Sequence, residues 1–158
     1  MSRDFILNKI IEHFEKELDL YQKISDKARS DATSSELKQE GKYDTRAIEA
    51  SYLAGAQERR KDEITLELQG LKVLQKKLSS NESSPVAKLM TLESESQLKK
   101  IFLVPCSGGF EVKYQGESVQ VLSTRSPLGS KILKLEEGQS SFELLLHGTL
   151  KEYRLSYD

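Results

Sequence analysis

From Arg3 to Lys38 the chain runs without a glycine or a proline. Within that run Leu7, Ile11, Phe14, Leu18, Tyr21, Ala28 and Ala32 recur in steps of four and three; Ser25 fills the vacant position and Ile24 lies beside it. This is the seam of a heptad helix. At about 1.5 Å per residue such a helix is on the order of 50 Å long. A small compact domain cannot bury that length, so the helix needs a second one laid along its apolar face.

The chain supplies one. A break at Glu40-Gly41-Lys42-Tyr43-Asp44-Thr45 follows. Gly41 can take the left-handed conformation that ends a helix, and Asp44 or Thr45 can cap the next. The second helix is expected from about Arg46 to Leu78, with Ala50, Leu53, Ala56, Ile64, Leu68, Leu71, Leu74 and Leu78 as its seam. Its register is less regular around Arg60. Two long helices joined by a short connection lie antiparallel, so residues 1–79 read as a coiled-coil hairpin. Phe14, Leu18, Leu68, Leu71 and Leu74 would pack its open end. Ala28, Ala32, Ala47, Ala50, Ala54 and Ala56, with Gly55 beside them, would pack its closed end and keep it narrow.

Residues 80–87, rich in serine and ending near Pro85, read as a linker. Beyond it the apolar period becomes two, with strands expected at 86–92, 98–104, 110–115, 118–123, 141–147 and 149–156. Turns fall at "CSGG", "YQGE" and "LHGT". Before the fifth strand, Ser126 can cap a short helix, Pro127 suits its first turn, and Ile132 and Leu133 give it a buried face. Phe102, Val104, Phe110, Val112, Leu144 and Leu146 are the expected core. The fold class is α+β: a helical hairpin, then a small antiparallel sheet domain over 88–158 with one short helix.

Charge narrows the function. Lys and Arg number 24 and Asp and Glu 25. The balance holds within each part, with 15 acids and 15 bases in residues 1–80 and 10 and 9 in residues 81–158. No bulk field recruits free DNA or an anionic membrane. Cys106 is the sole cysteine, so an intramolecular disulfide and a cysteine zinc site are both excluded. No signal peptide or membrane span is read, and a cytoplasmic location is expected. His13 and His147 bring no ligand partner at metal spacing. Cys106, in "PCSGG", has no basic neighbour to activate it. No nucleophile–base constellation is present, so the chain is not expected to be an enzyme.

A long hairpin followed by a sheet domain carrying "SPLGSKILKLEEGQ" resembles the bacterial Gre factors, the GreA/GreB transcription elongation and transcript cleavage factors. Ser126, Pro127, Leu133 and Gly138 match that family's Ser-Pro-x-x-x-x-x-Leu segment and its glycine turn. Tyr52-Leu53-Ala54 is similar to the Tyr-x-Ala that opens the family's second helix.

The resemblance implies an FKBP-like sheet domain that grips the rim of the secondary channel of RNA polymerase. Arg125, Ser126 and Pro127 would be the docking residues. The hairpin would enter the channel and bring tip residues Glu40, Tyr43, Asp44 and Glu49 toward the polymerase active centre. Nascent RNA and DNA would be met only inside that complex, and the protein is expected to be a monomer. In the family, acidic tip residues help hold a second Mg²⁺ for hydrolysis of backtracked RNA. Asp44 is the residue here that would share such an ion, the only cofactor expected.

The tip departs from the family pattern. Asp44 is followed three residues later by Ala47, not by an acid. The reading therefore leans toward occupying the channel without supplying the metal-binding pair. Within the chain itself Asp44 can act as a cap and Glu49 can favour the helix dipole. Arg125 stands where some relatives carry an acid. The alternative from a different class is a coiled-coil adaptor or chaperone-like protein unrelated to transcription, which would expose an apolar hairpin groove.

Overall fold

The structure, a computed structural model, describes residues 2–33, 45–77, 85–95, 97–136, 138–146 and 148–157, without the side chains of 2, 29, 31–33, 45–47, 50 and 146. Two long helices open the chain, α1 at Ser2–Thr33 and α2 at Thr45–Lys77. Then come β1 (Leu89–Ser94), β2 (Gln97–Val104), β3 (Glu111–Tyr114), β4 (Glu117–Ser123), α3 (Pro127–Leu133), β5 (Ser141–Leu146) and β6 (Thr149–Tyr157). All six expected strands form. The chain divides into two compact units, Met1–Ile10 with Gly70–Asp158 and Ile11–Gln69.

The helices run antiparallel. In the first unit the Gln75 amide donates to Asn8 Oδ1 at 2.6 Å; in the second, Arg60 donates to Glu17 Oε1 at 3.0 Å. The partner number falls as the α1 number rises. In the second unit Ile11, Phe14, Ile64 and Leu68 are buried, and Leu18, Tyr21 and Ser25 continue the α1 stripe half-buried. The apolar stripe of α1 is wider than a strict seam at its start, where Ile6, Leu7 and Ile10 are all buried in the first unit. A stripe that covers a sheet as well as a helix needs the extra positions.

On α2 the burial phase differs from the expected seam. Stepping back by threes and fours from Leu71, Leu68 and Ile64 leads to Lys61 and Gln57, both half-buried, and then to Ala54. Leu53 and Ala56 fall off this line and are exposed, Leu53 at 62%. The polar stretch 57–62 carries no apolar marker, so sequence periodicity loses the phase there. The expected alanine packing of the closed end is not seen among the described side chains, since Ala28, Ala54 and Ala56 are exposed. An alanine removes too little apolar area from water to hold two helices together unaided.

In the first unit the strands form one sheet in the order β3-β4-β2-β1-β6-β5. It is antiparallel except that β2 and β4 pair in parallel, Phe102 opposite Val121. The expected "CSGG" turn is therefore not a hairpin. It carries the chain past the end of β4 so that β3 can pair on the far side. Gly109 and Val121 bond at 2.9 Å, as do Val121 and Phe110. A Cβ at Gly108 would stand 2.7 Å from backbone atoms of Val121 and Ser123, and Gly109 has φ +97°. Only glycine tolerates both demands.

Both faces of the central strands are covered, which explains the unbroken run Ile101-Phe102-Leu103-Val104. Ile101 and Leu103 lie under α3 with Met90, Leu92, Ile132 and Leu155. Phe102, Val104, Val119 and Val121 are buried on the reverse face. The Phe5 ring of α1 lies 5.6 Å from that of Tyr114 on β3, within this same unit. Val112 joins the core as expected, while Phe110 is only half-buried.

Candidate partner-binding site

The expected site residues fall in two places. The first is the knuckle between β4 and α3. Ser126 sits in extended conformation, its hydroxyl accepting from the Gly129 N–H at 3.0 Å. The same hydroxyl donates to the Ser123 carbonyl at 2.7 Å. The Ser126 N–H reaches that carbonyl at 3.1 Å, and Ser130 N–H bonds back to Ser126 O at 2.8 Å. Pro127 then opens the helix with its φ already set. The Arg125 N–H donates to Ser123 Oγ at 3.2 Å.

Three of these bonds converge on Ser123, itself fixed by strand pairing with Val104. Gly129 completes the knuckle: a Cβ there would lie 2.0 Å from Ser123 O. The helix therefore sits directly on the strand end, with Ile132 sealed beneath it. Arg125 and Pro127 are exposed on the outside of this rigid turn. Gly108 and Gly129, which meet the same backbone from two sides, were not singled out by sequence reading. Gly129 is a glycine where no turn or cap requires one, whereas Gly108 is hidden in the expected "CSGG" turn.

The second place is the distal part of α2. Glu49 is exposed near its start. Glu40, Tyr43 and Asp44 lie outside the described residues. Ile48, Tyr52, Gly55 and Arg59, with Ser51, line a shallow hollow along one side of α2. Ile48 is 56% and Tyr52 75% exposed.

Between this stretch and the apolar layer around Phe14, Arg60 reaches Glu17 on α1 at 3.0 Å and Glu63 at 3.3 Å. Partial burial pulls the Arg60 guanidinium down, but Glu17, Glu63 and Glu67 outweigh it and hold it above the ordinary arginine value. This polar contact falls where residues 57–62 of α2 carry no apolar side chain.

No group of three or more His, Cys, Asp or Glu placed to hold a metal occurs among the described residues. Glu49 alone is not a ligand set for Mg²⁺, and Asp44 lies outside the described residues. No described helix is long and apolar enough to cross a membrane.

No protein-family profile matches the chain, and no curated protein matches it. Among solved structures it is similar to the transcription factor Gfh1, at 16% identity over 98% of this chain and 91% of that one, with a TM-score of 0.36. It is also similar to the GreA factor homolog 1 of Thermus thermophilus, at 18% identity, 100% and 96% coverage and a TM-score of 0.34. Gfh1 of Thermus aquaticus is 18% identical over 91% and 90%, with a TM-score of 0.33. Likeness at this level carries no functional inference for the chain.

Proposed function

We propose that this protein binds bacterial RNA polymerase and regulates transcription elongation from within the secondary channel. The observation that carries the reading is the antiparallel pairing of two helices of 32 and 33 residues in a chain whose sheet domain holds the Ser126-Pro127 knuckle. A helical pair of that length reaches into a partner, and a rigid knuckle gives the partner a fixed surface to grip. Arg125, Ser126 and Pro127 are the docking residues on this reading, and Glu40, Tyr43, Asp44 and Glu49 lie toward the polymerase active centre. The protein has no catalytic centre of its own. It occupies the channel without supplying a pair of metal-binding acids.

Incubation with bacterial core polymerase tests this, read by native gel or pull-down. A complex at micromolar concentration is expected, and its absence ends the proposal. A cleavage assay on a backtracked complex tests the mode. Stimulation by the parent that Asp44→Ala abolishes would assign Asp44 a metal role and overturn channel occupation alone.

The exposed Ile48, Tyr52 and Leu53 favour a second reading, an adaptor or chaperone-like protein that grips other chains with its helices. That reading predicts suppression of aggregation of an unrelated unfolded protein. It also predicts no dependence of that effect on Arg125.

A further inference from the structure

The face of the sheet that carries α3 is only partly covered by it. Beyond the helix a groove of about 340 Å³ opens. Its walls come from three places: the β1–β2 turn, the start of α3 and the β5–β6 hairpin. Residues 149–153 of β6 pair with β5 alone, since β1 meets β6 only from Arg154 onward. The hairpin therefore overhangs the sheet and closes one side of the groove.

Strand register explains its chemistry. Leu92 stands opposite Lys99, and Ile101 opposite Gln120. Alternation then puts Lys99 and Gln120 on the face where Ile101 meets α3. Its lining combines apolar groups, Leu92, Leu128 and the ring of Tyr153, with the polar Gln97, Lys99 and Lys151. Its volume falls in the range of built ligand sites, and convergent polar groups beside an apolar wall are their usual lining.

Charge decides what it takes. Two ammonium groups face one carboxylate, that of Glu95. Lys151 lies 3.6 Å from Glu95 Oε1, an ion pair too long for a hydrogen bond, with the Lys151 side chain 37% exposed. Such a pair yields readily to a competing anion. Lys99 is exposed and makes no ion pair among the described residues. Its chain neighbour Lys100, on the opposite face, is held by Glu117 at 2.6 Å. The groove is thus rich in donors, with cationic groups set beside apolar ones.

We infer that this groove binds an extended segment of a protein partner that presents a carboxylate beside an apolar side chain. The carboxylate meets Lys99 and Lys151, the apolar side chain lies between Leu92 and Leu128, and Gln97 and Gln120 serve the segment's backbone. The groove borders Pro127 through Leu128, but Arg125, Ser126 and Pro127 are not among its lining residues.

The test is an NMR titration of the ¹⁵N-labelled full chain with the peptide acetyl-Gly-Leu-Glu-Leu-Gly-amide. Saturable shifts are expected at residues 92–99, 120, 128 and 151–153. Replacing the peptide's Glu by Gln should weaken binding about tenfold, the scale of one charge-assisted hydrogen bond, and replacing its leucines by serines should weaken it at least as much through lost apolar burial. Lys99→Glu should weaken it at least as much while the remaining spectrum keeps the parent's dispersion. Shifts elsewhere, no saturation, or equal binding of the Gln peptide would overturn the inference. So would inorganic phosphate giving the same shifts at the same affinity, which would make this a small-anion site. The assay contains no polymerase, so its failure and that of the channel reading are separable.

Discussion

Replacing Gly129 by alanine tests the close seating of α3 most directly. The added Cβ would lie 2.0 Å from Ser123 O, 2.9 Å from Ser123 C and 3.0 Å from Leu103 Cδ1. A carbon and a carbonyl oxygen approach to about 3.3 Å, so something must move by more than an ångström. The Leu103 side chain can turn aside. The Ser123 carbonyl cannot, because β4 pairing and two bonds from Ser126 hold it. The helix must lift instead, and Ile132, 1% exposed, lifts with it. Overpacking costs about 1–3 kcal/mol, and loss of one bond to Ser123 O adds about 1 kcal/mol. We expect a loss of about 3 kcal/mol, or on the order of 12–20 °C in Tm for a domain of this size. Urea unfolding followed by circular dichroism reads it. Gly55→Ala is the control: nothing lies within 4 Å of a Cβ there, so this exposed helical position should gain up to about 1 kcal/mol. A Gly129→Ala variant within about 0.5 kcal/mol of the parent would refute the reasoning, since α3 could then not rest on Ser123 as described.

Phe14→Ala empties the largest side chain in the layer it shares with Ile64 and Leu68, and should cost about 3–5 kcal/mol in thermal or urea unfolding. Ser126→Ala removes the cap of α3 and its bond to Ser123, for a loss of about 1–2 kcal/mol by the same measurement. A double-mutant cycle on Glu17 and Arg60 should return about 0.5–1 kcal/mol of coupling, shrinking as salt approaches about 1 M. Because the folded-state pKa of Arg60 is raised, its contribution is fully present below the ordinary arginine value and is lost only as pH rises through the higher one. Stability curves between about pH 6 and 9 should therefore show no step from Arg60.

Much of the fold is legible because its signals are local. The heptad steps of α1 need only the order of residues 7–21, and Ser126 followed by Pro127 marks the start of α3 to the residue. The turn at Ser126-Pro127 was legible for the same reason, since a cap and a helix start are written in adjacent positions. The groove was not. Lys99, Lys151 and Gln120 become neighbours only through strand pairing, and in the sequence each is an ordinary exposed position in a half-polar strand. The phase of α2 was lost where residues 57–62 carry only polar side chains. Two half-buried charges there, Arg60 and Lys61, do the inward-facing work that periodicity assigns to apolar residues.

By itself the sequence determined that two long helices must pair and that six short strands and one capped helix follow, because periodicity and capping act over a single turn or pleat. Only the tertiary structure decided that β4 lies between β3 and β2, parallel to the latter, and that Gly108 and Gly129 close on Ser123 from two sides. It also decided that the sheet buries its centre on both faces. These depend on contacts between residues far apart in the chain. Their free energy comes from excluding water and satisfying backbone bonds across the whole sheet, and no single stretch carries it.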